Sequence, residues 1–196
     1  MLDTEKVIEI AKNKNGLVTS ADVTTLGISR MVLKYLVEQG KLIKMARGVY
    51  ALPSTMEDKY FDEQNRCHKG IYNSLSSLYL LGYLDSDPNK LYMAFPQTYN
   101  TTKLKARGIV CMNQAVSNYD VGTISVKTPR GNVVRTYCIE RTLCEVMRDS
   151  EVSRHVVRDA FAQYLRNNDA NLKSLRTFAK MFGVESKVNT FLEVLL

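Results

Sequence analysis

Residues 19–52 read TSADVTTLGISRMVLKYLVEQGKLIKMARGVYAL, and this stretch decides the fold of the N-terminal part of the chain. Thr19 stands three residues before Asp22, which is the spacing of a capping box at the start of a helix. The helix is expected to be short, because Gly27 follows soon after and suits a sharp turn between two helices. The stretch therefore begins with a capped helix and a turn.

A second capped helix follows the turn. Ser29 is expected to cap a helix over residues 30–39, which ends at Gly40. Leu33, Leu36 and Val37 share one face of it, whereas Arg30, Lys34 and Glu38 share another. One side is thus expected to pack on the protein, and the polar side is expected to face outward.

Two short apolar segments, residues 42–45 and 49–52, come next and predict a β-hairpin linked by residues 46–48. Lys44 and Arg47 place positive charge on it. Helix, turn, helix and basic hairpin in this order are typical of a winged helix-turn-helix, whose second helix enters the major groove of DNA. The predicted DNA-contacting residues are Ser29, Arg30, Met31, Lys34, Tyr35, Lys44 and Arg47. The same scaffold also serves as a protein-interaction module, and that alternative stays open at this point.

Short helices and strands predict an α+β fold for the rest of the chain. Strand-like segments rich in β-branched and aromatic residues lie at residues 91–96, 108–112, 122–129 and 132–138, and Arg130 to Asn132 form a predicted hairpin tip. They predict a small mixed or antiparallel sheet, followed by a helical bundle. Ser54 with Glu57 predicts the start of a linker helix. The expected division is a winged domain over 1–54, a linker helix region over 55–72 and a C-terminal domain over 73–196.

Composition and motifs argue against several classes of function. The formal net charge is +7, which favours nucleic acid or another anionic partner. The four Cys and two His have none of the spacings of zinc ligands, and no Walker loop, GxGxxG, GxSxG or HExxH motif occurs. We therefore expect no metal, no cofactor and no enzymatic activity. No signal peptide or membrane span is recognisable, which predicts a cytoplasmic protein without a membrane partner.

A second basic surface is predicted near the C-terminus. Lys173, Arg176 and Lys180 share one helix face at spacings of three and four residues. Such a face is either an ordinary solvated helix surface or a site for RNA, DNA or an acidic partner.

Three segments resemble the AbiEi antitoxins of the AbiE abortive-infection systems, which are bacterial type IV toxin–antitoxin systems. The winged segment ends in the family's "RGVY-L-P" pattern, here Arg47 to Tyr50 followed by Leu52 and Pro53. The segment SLSSLYLLGYL, residues 74–84, is similar to the family sequence after the linker. YCIERTLCEVMRD, residues 137–149, is similar to "Y-x-x-E-R-T-L-x-D", except that Cys144 precedes the acidic Glu145.

This resemblance implies two functions. The N-terminal domain would bind inverted repeats in its own promoter and repress its operon, with more than one copy on the DNA even if the free chain is a monomer. The C-terminal domain would neutralise a nucleotidyltransferase toxin as part of phage defence, without a stable complex between them. Lys173, Arg176 and Lys180 are the candidate antitoxicity surface. The alternative function is an ordinary winged-helix regulator with a ligand-sensing C-terminal domain.

Overall fold

The chain folds into two compact units, of which a computed structural model describes residues 2–53 and 58–195. Unit 1 comprises residues up to His68 together with residues 127–134, and unit 2 comprises residues 69–126 and those from Arg135 onward. The helices and strands of unit 1 before residue 69 are α1 (Asp3–Asn13), β1 (Leu17–Thr19), α2 (Ser20–Thr25), α3 (Met31–Glu38), β2 (Ile43–Ala46), β3 (Val49–Ala51) and α4 (Lys59–Arg66).

Unit 1 is a winged helix-turn-helix, as predicted. Its three strands form an antiparallel sheet in the order β1-β3-β2, with a bulge between Lys44 and Ala46. The Thr19–Asp22 capping box is confirmed, because Asp22 N donates to Thr19 Oγ1 across 3.2 Å and Thr19 N donates to Asp22 Oδ2 across 2.8 Å. The core of the unit is aliphatic, and each fully buried Leu contributes about 1.5–3 kcal/mol to its stability. Its members are Val7, Ala11, Val18, Val23, Ile28, Leu33, Leu36 and Leu42.

The bounds of α3 differ slightly from the prediction. Arg30 is the N-cap rather than the first helical residue, and the helix begins at Met31. The reason is a tight first turn, in which Val32 N donates to Ser29 O and Leu33 N to Arg30 O. Ser29 still acts at this end, since its Oγ accepts a hydrogen bond from Met31 N at 3.3 Å.

Residues 127–134 join unit 1 through the N-terminal end of α4. The Asp58 carboxylate caps this helix by accepting hydrogen bonds from Tyr60 N and Phe61 N, both at 3.2 Å. Its other oxygen accepts from Thr128 Oγ1 at 2.5 Å and from Asn132 Nδ2 at 2.9 Å. Ser54 and Glu57, the predicted caps of this helix, lie outside the described residues. The functional division at residues 54 and 72 stays a prediction.

Unit 2 holds a five-stranded sheet in the order β6-β5-β4-β8-β7. The sheet is mixed, because β4 pairs antiparallel with β5, whereas β4–β8 and β5–β6 are parallel pairs. Its strands are β4 (Ile71–Tyr72), β5 (Tyr92–Pro96), β6 (Val110–Gln114), β7 (Thr123–Lys127) and β8 (Val133–Tyr137), the last two running on into residues 127–134. Its helices are α5 (Ser74–Leu80), α6 (Thr102–Ala106), α7 (Val116–Tyr119), α8 (Ile139–Arg148), α9 (Arg154–Arg166), α10 (Leu172–Phe182) and α11 (Glu185–Leu195).

The predicted α+β class is confirmed, with corrections in detail. The four strand-like segments form β5 to β8, and a helical cluster follows them. The two-residue strand β4 and the short helices α6 and α7 had no counterpart among the predicted elements. Helix α8 is buried along most of its length, including Arg141, which is 0 % exposed.

Candidate nucleic-acid interface

The candidate interface is built on α3 and the β2–β3 hairpin. Helix α3 buries Leu33 and Leu36 completely, which fixes its rotation on the core. The opposite face carries Met31, Lys34 and Tyr35 at spacings of three and four residues. Met31 is 72 % exposed and Tyr35 is 51 % exposed, although both are large side chains. The helix therefore presents an outward face that mixes apolar and basic groups.

All seven residues predicted from the sequence to contact DNA are exposed. Five of them lie on α3 or just before it, and Lys44 and Arg47 lie on the hairpin. The Lys34 ammonium lies 3.9 Å from the Glu38 carboxylate on the same exposed face. An exposed pair of this kind contributes little to stability and is easily exchanged for a phosphate contact.

Hydrogen bonds connect the start of α3 to the hairpin turn through α2. Arg30 Nε donates to Thr24 Oγ1 at 3.1 Å, and Thr24 Oγ1 donates to Ser20 O at 2.7 Å. Ser20 N in turn donates to Gly48 O at 2.8 Å. Gly48 has φ +77°, and a Cβ there would lie 3.4 Å from Ser20 Oγ. The residue expected to read bases and the turn of the wing are thus held by one continuous chain of contacts.

The wing is also supported by a hydrogen bond from α4. Arg66 NH2 donates to Met45 O at 2.8 Å, next to the bulge in β2. A bulge bends its strand and re-aims the neighbouring side chains. Lys44 on this strand is paired in register with Tyr50 of β3 and is exposed. Helix α4 is therefore part of the compact unit that carries the wing.

Two further apolar side chains of unit 1 are exposed and were not among the predicted contacts. Leu26, at the end of α2, is 59 % exposed, and Ile43 on β2 is 47 % exposed. Apolar side chains at a DNA interface contact thymine methyl groups. The sequence marks Leu26 only as the end of a short helix and Ile43 only as a strand residue, because neither pattern shows which side faces solvent.

The Thr19–Asp22 capping box stabilises the start of α2, the helix that precedes α3. Burial raises the pKa of the Asp22 carboxyl, but hydrogen bonds from Lys14 and Thr19 outweigh burial and lower it below its ordinary value of 3.8. Lys14 Nζ lies 2.5 Å from Asp22 Oδ1. The ionised carboxylate therefore holds the first turn of α2, the helix whose Thr24 accepts the hydrogen bond from Arg30.

The second candidate surface lies in unit 2, on α10. Asn171 is the N-cap of this helix, and its Oδ1 accepts a hydrogen bond from Ser174 N at 2.9 Å. Leu175 and Phe178 are buried, whereas Lys173, Arg176 and Lys180 are all exposed on the other side. The geometry makes these three cations available to an anionic partner without defining one.

Among the described residues, no three His, Cys, Asp or Glu side chains are grouped as metal ligands would be. In the same parts of the chain, no helix combines the length and the apolar character needed to cross a bilayer.

Comparisons with known proteins found one family model that matches the N-terminal residues. Residues 5–53 match the sequence model described as "Transcriptional regulator, AbiEi antitoxin". A comparison with curated proteins found no match. Among solved structures, the chain is similar to the RV2827C protein from Mycobacterium tuberculosis, with 13 % identity and a TM-score of 0.50 over 97 % of this chain and 80 % of that one. This likeness shows a shared fold. Residues 5–53 are similar to the AbiEi antitoxin family of transcriptional regulators.

Proposed function

We propose that this chain represses its own operon by binding inverted repeats in the promoter through unit 1. The observation that carries the proposal is the exposed face of α3 together with the basic wing, seated on a buried aliphatic core. Lys34, Lys44 and Arg47 supply phosphate contacts and position the protein. Arg30, Met31 and Tyr35 face the base edges, and Arg30 is suited to a bidentate contact with guanine.

The DNA half of the proposal is tested by titrating the chain with its own upstream DNA over a series of salt concentrations. The double variant Lys44→Ala/Arg47→Ala is expected to weaken binding to operator and unrelated DNA about equally. The slope of log K against log salt should fall by roughly 0.9 for each phosphate that the variant no longer neutralises. Unchanged affinity and slope would show that the hairpin does not touch DNA.

A matched control removes the same number of charges elsewhere. Lys173→Ala/Arg176→Ala takes two cations from α10 in unit 2, where both are exposed. This variant is expected to keep the operator affinity and the salt slope. If both double variants weaken binding equally, the effect comes from overall charge, and the proposed interface is wrong.

We further propose that the C-terminal part neutralises a nucleotidyltransferase toxin, without forming a stable complex with it. The match of residues 5–53 to the AbiEi antitoxin model and the exposed cations Lys173, Arg176 and Lys180 on α10 support this half of the proposal. Co-expression with the neighbouring toxin gene tests it, with both genes under unrelated promoters so that repression plays no part. Replacing all three cations by Glu is expected to abolish growth rescue, whereas Lys44→Ala/Arg47→Ala should rescue fully. Full rescue by a folded triple variant would remove this surface from consideration.

A further inference from the structure

Unit 1 carries a groove along α1 that the predicted DNA contacts do not use. Its volume is about 520 Å³, and it lies between α1, the C-terminal half of α3 and the chain that follows α3 and β3. None of the seven residues predicted to contact DNA lines it. A partner seated here would therefore leave those seven side chains untouched. The residues that matter for its chemistry are Glu5, Ile8, Glu9, Lys12, Lys41 and Leu52.

The groove has an apolar floor and a rim that carries both signs of charge. Ile8 and Leu52 are half-buried and pack against the aliphatic core of the unit. The rim holds two acids and two bases, so this face is electrically neutral although the whole chain has a net charge of +7. Such a face favours neither a polyanion nor a polycation. The four charged side chains are all exposed, and they are Glu5, Glu9, Lys12 and Lys41.

These four charges have no ion-pair partner in the part of the chain that the structure describes. Glu5 accepts one hydrogen bond, from Leu2 N to its Oε2 at 3.1 Å. Glu5 and Glu9 lie one helical turn apart, and like charges at this spacing repel each other. A cation supplied by a partner would relieve that repulsion, and an anion would pair with Lys12.

The order of side chains along α1 is complementary to itself when the helix is reversed. Glu5, Ile8 and Lys12 share one face of the helix at spacings of three and four residues. Glu5 and Lys12 lie on either side of Ile8, each about 5 Å along the axis from the midpoint between them. In an antiparallel pair of such helices, Glu5 of each copy faces the partner's Lys12, and the two Ile8 side chains meet in the middle. A self-complementary patch of this kind is what a two-fold interface requires.

We propose that two copies of this chain associate through this face of unit 1, with their α1 helices antiparallel about a two-fold axis. One helix face with its groove is smaller than the roughly 1,200 Å² of a stable interface, so the dimer is weak and reversible. The contact forms between free chains and does not depend on the proposed operator function. Two chains related by this axis also have the symmetry of an inverted repeat.

Sedimentation equilibrium of the full chain tests the proposal at low salt and without DNA. We expect a dissociation constant of about 10–500 μM for the unaltered chain. Glu5→Lys and Lys12→Glu each place like charges at both ends of the contact, so each variant alone should associate at least about tenfold more weakly. An equimolar mixture of the two variants has opposite charges at both ends again and should associate as the unaltered chain does.

The matched control is Lys6→Glu, which reverses a lysine of α1 that pairs with Asp3 outside the groove. It changes the net charge as much as Lys12→Glu does and should leave the association unchanged. Circular dichroism checks that each variant is folded; should Glu5→Lys not fold, Lys12→Glu and Lys6→Glu decide alone.

Three results would overturn the proposal. The unaltered chain could stay monomeric at about 1 mM, which would mean that something other than a second copy occupies the groove. Lys12→Glu could associate as strongly as Lys6→Glu, which would place the contact between copies elsewhere. The mixture of folded variants could associate no better than its components, which would exclude the antiparallel pairing of Glu5 with the partner's Lys12.

Discussion

Asp58 Oδ2 accepts a hydrogen bond of 2.9 Å from Asn132 Nδ2, across 74 residues of sequence. The same carboxylate caps α4, and Arg66 at the other end of α4 bonds to the wing at Met45. The Asp58–Asn132 pair, which is not among the predicted DNA contacts, is thus connected through α4 to the wing. The winged unit is complete only when residues 127–134 are in place.

Removing this carboxylate should destabilise the protein. Asp58→Ala deletes the cap of α4 and leaves Thr128 and Asn132 without their partner, in a site where Asp58 is only 4 % exposed. We expect a loss of about 2–4 kcal/mol, from the helix cap together with charge-assisted hydrogen bonds. Chemical denaturation followed by circular dichroism measures it.

The control for this change is Asp159→Ala, which removes an exposed carboxylate bonded to Arg158 at the surface. Such surface pairs contribute about 0–1 kcal/mol to the free energy of unfolding, so the denaturation midpoint should hardly change. Equal effects of the two substitutions would show that the Asp58 network does not stabilise unit 1.

The capping box of α2 should make the winged unit sensitive to acid. Burial opposes ionisation of Asp22, but hydrogen bonds from Lys14 and Thr19 prevail and lower its pKa from the ordinary 3.8. Because the folded state binds this proton less readily than the unfolded chain, the carboxylate stabilises the fold above the ordinary pKa. That stabilisation is lost as the pH falls through the lowered value. The stability difference between the natural chain and Asp22→Asn should be largest near neutral pH and should shrink below pH 3.8. A difference independent of pH in melting experiments would contradict this account.

Arg30 is expected to determine sequence preference. Its guanidinium is oriented by the 3.1 Å bond from Nε to Thr24 Oγ1. Arg30→Ala should cost about 1–3 kcal/mol of operator binding, roughly 5- to 150-fold in affinity, with a smaller effect on unrelated DNA. Fluorescence anisotropy with both DNAs measures the ratio. Lys6→Ala, an exposed lysine of α1, serves as the control and should leave the ratio unchanged. Equal losses on both DNAs with Arg30→Ala would assign Arg30 to a phosphate instead.

The buried ion pair of Arg141 and Glu145 in α8 should stabilise the fold only when both residues are present. Arg141 is 0 % exposed, lies 3.3 Å from the centre of the Tyr137 ring, and donates to the carbonyl of Asn118 at 2.6 Å as well as to that of Val121. Arg141→Met leaves the Glu145 carboxylate buried without its counter-ion, which should cost about 3–5 kcal/mol. The double variant Arg141→Met/Glu145→Leu should recover part of this loss. Denaturation curves of the three proteins measure these differences. A double variant less stable than Arg141→Met would mean that the loss comes from the Arg141 contacts with the Asn118 and Val121 carbonyls.

The sequence predicted the winged unit well because its signals are local. The Thr19–Asp22 box, the glycine turns and the apolar stripe of α3 all act within a few residues. The partner of Asp58 and the pairing of β4 with β8 depend on contacts between distant parts of the chain, which leave no periodic pattern. Arg141 was not expected in a core, since a lone charge is rarely buried, and only its partners in the fold explain it.

Because residues 127–134 belong to unit 1, this unit cannot finish folding until they have been synthesised. The hydrogen bonds from Thr128 and Asn132 to Asp58 cannot form until these residues have left the ribosome. At roughly 5–20 residues per second, the stretch from residue 69 to residue 134 takes about 3–13 seconds to translate. During that interval the nascent winged segment lacks the hydrogen bonds from Thr128 and Asn132. Unit 1 is therefore completed only after about half of unit 2 has been made.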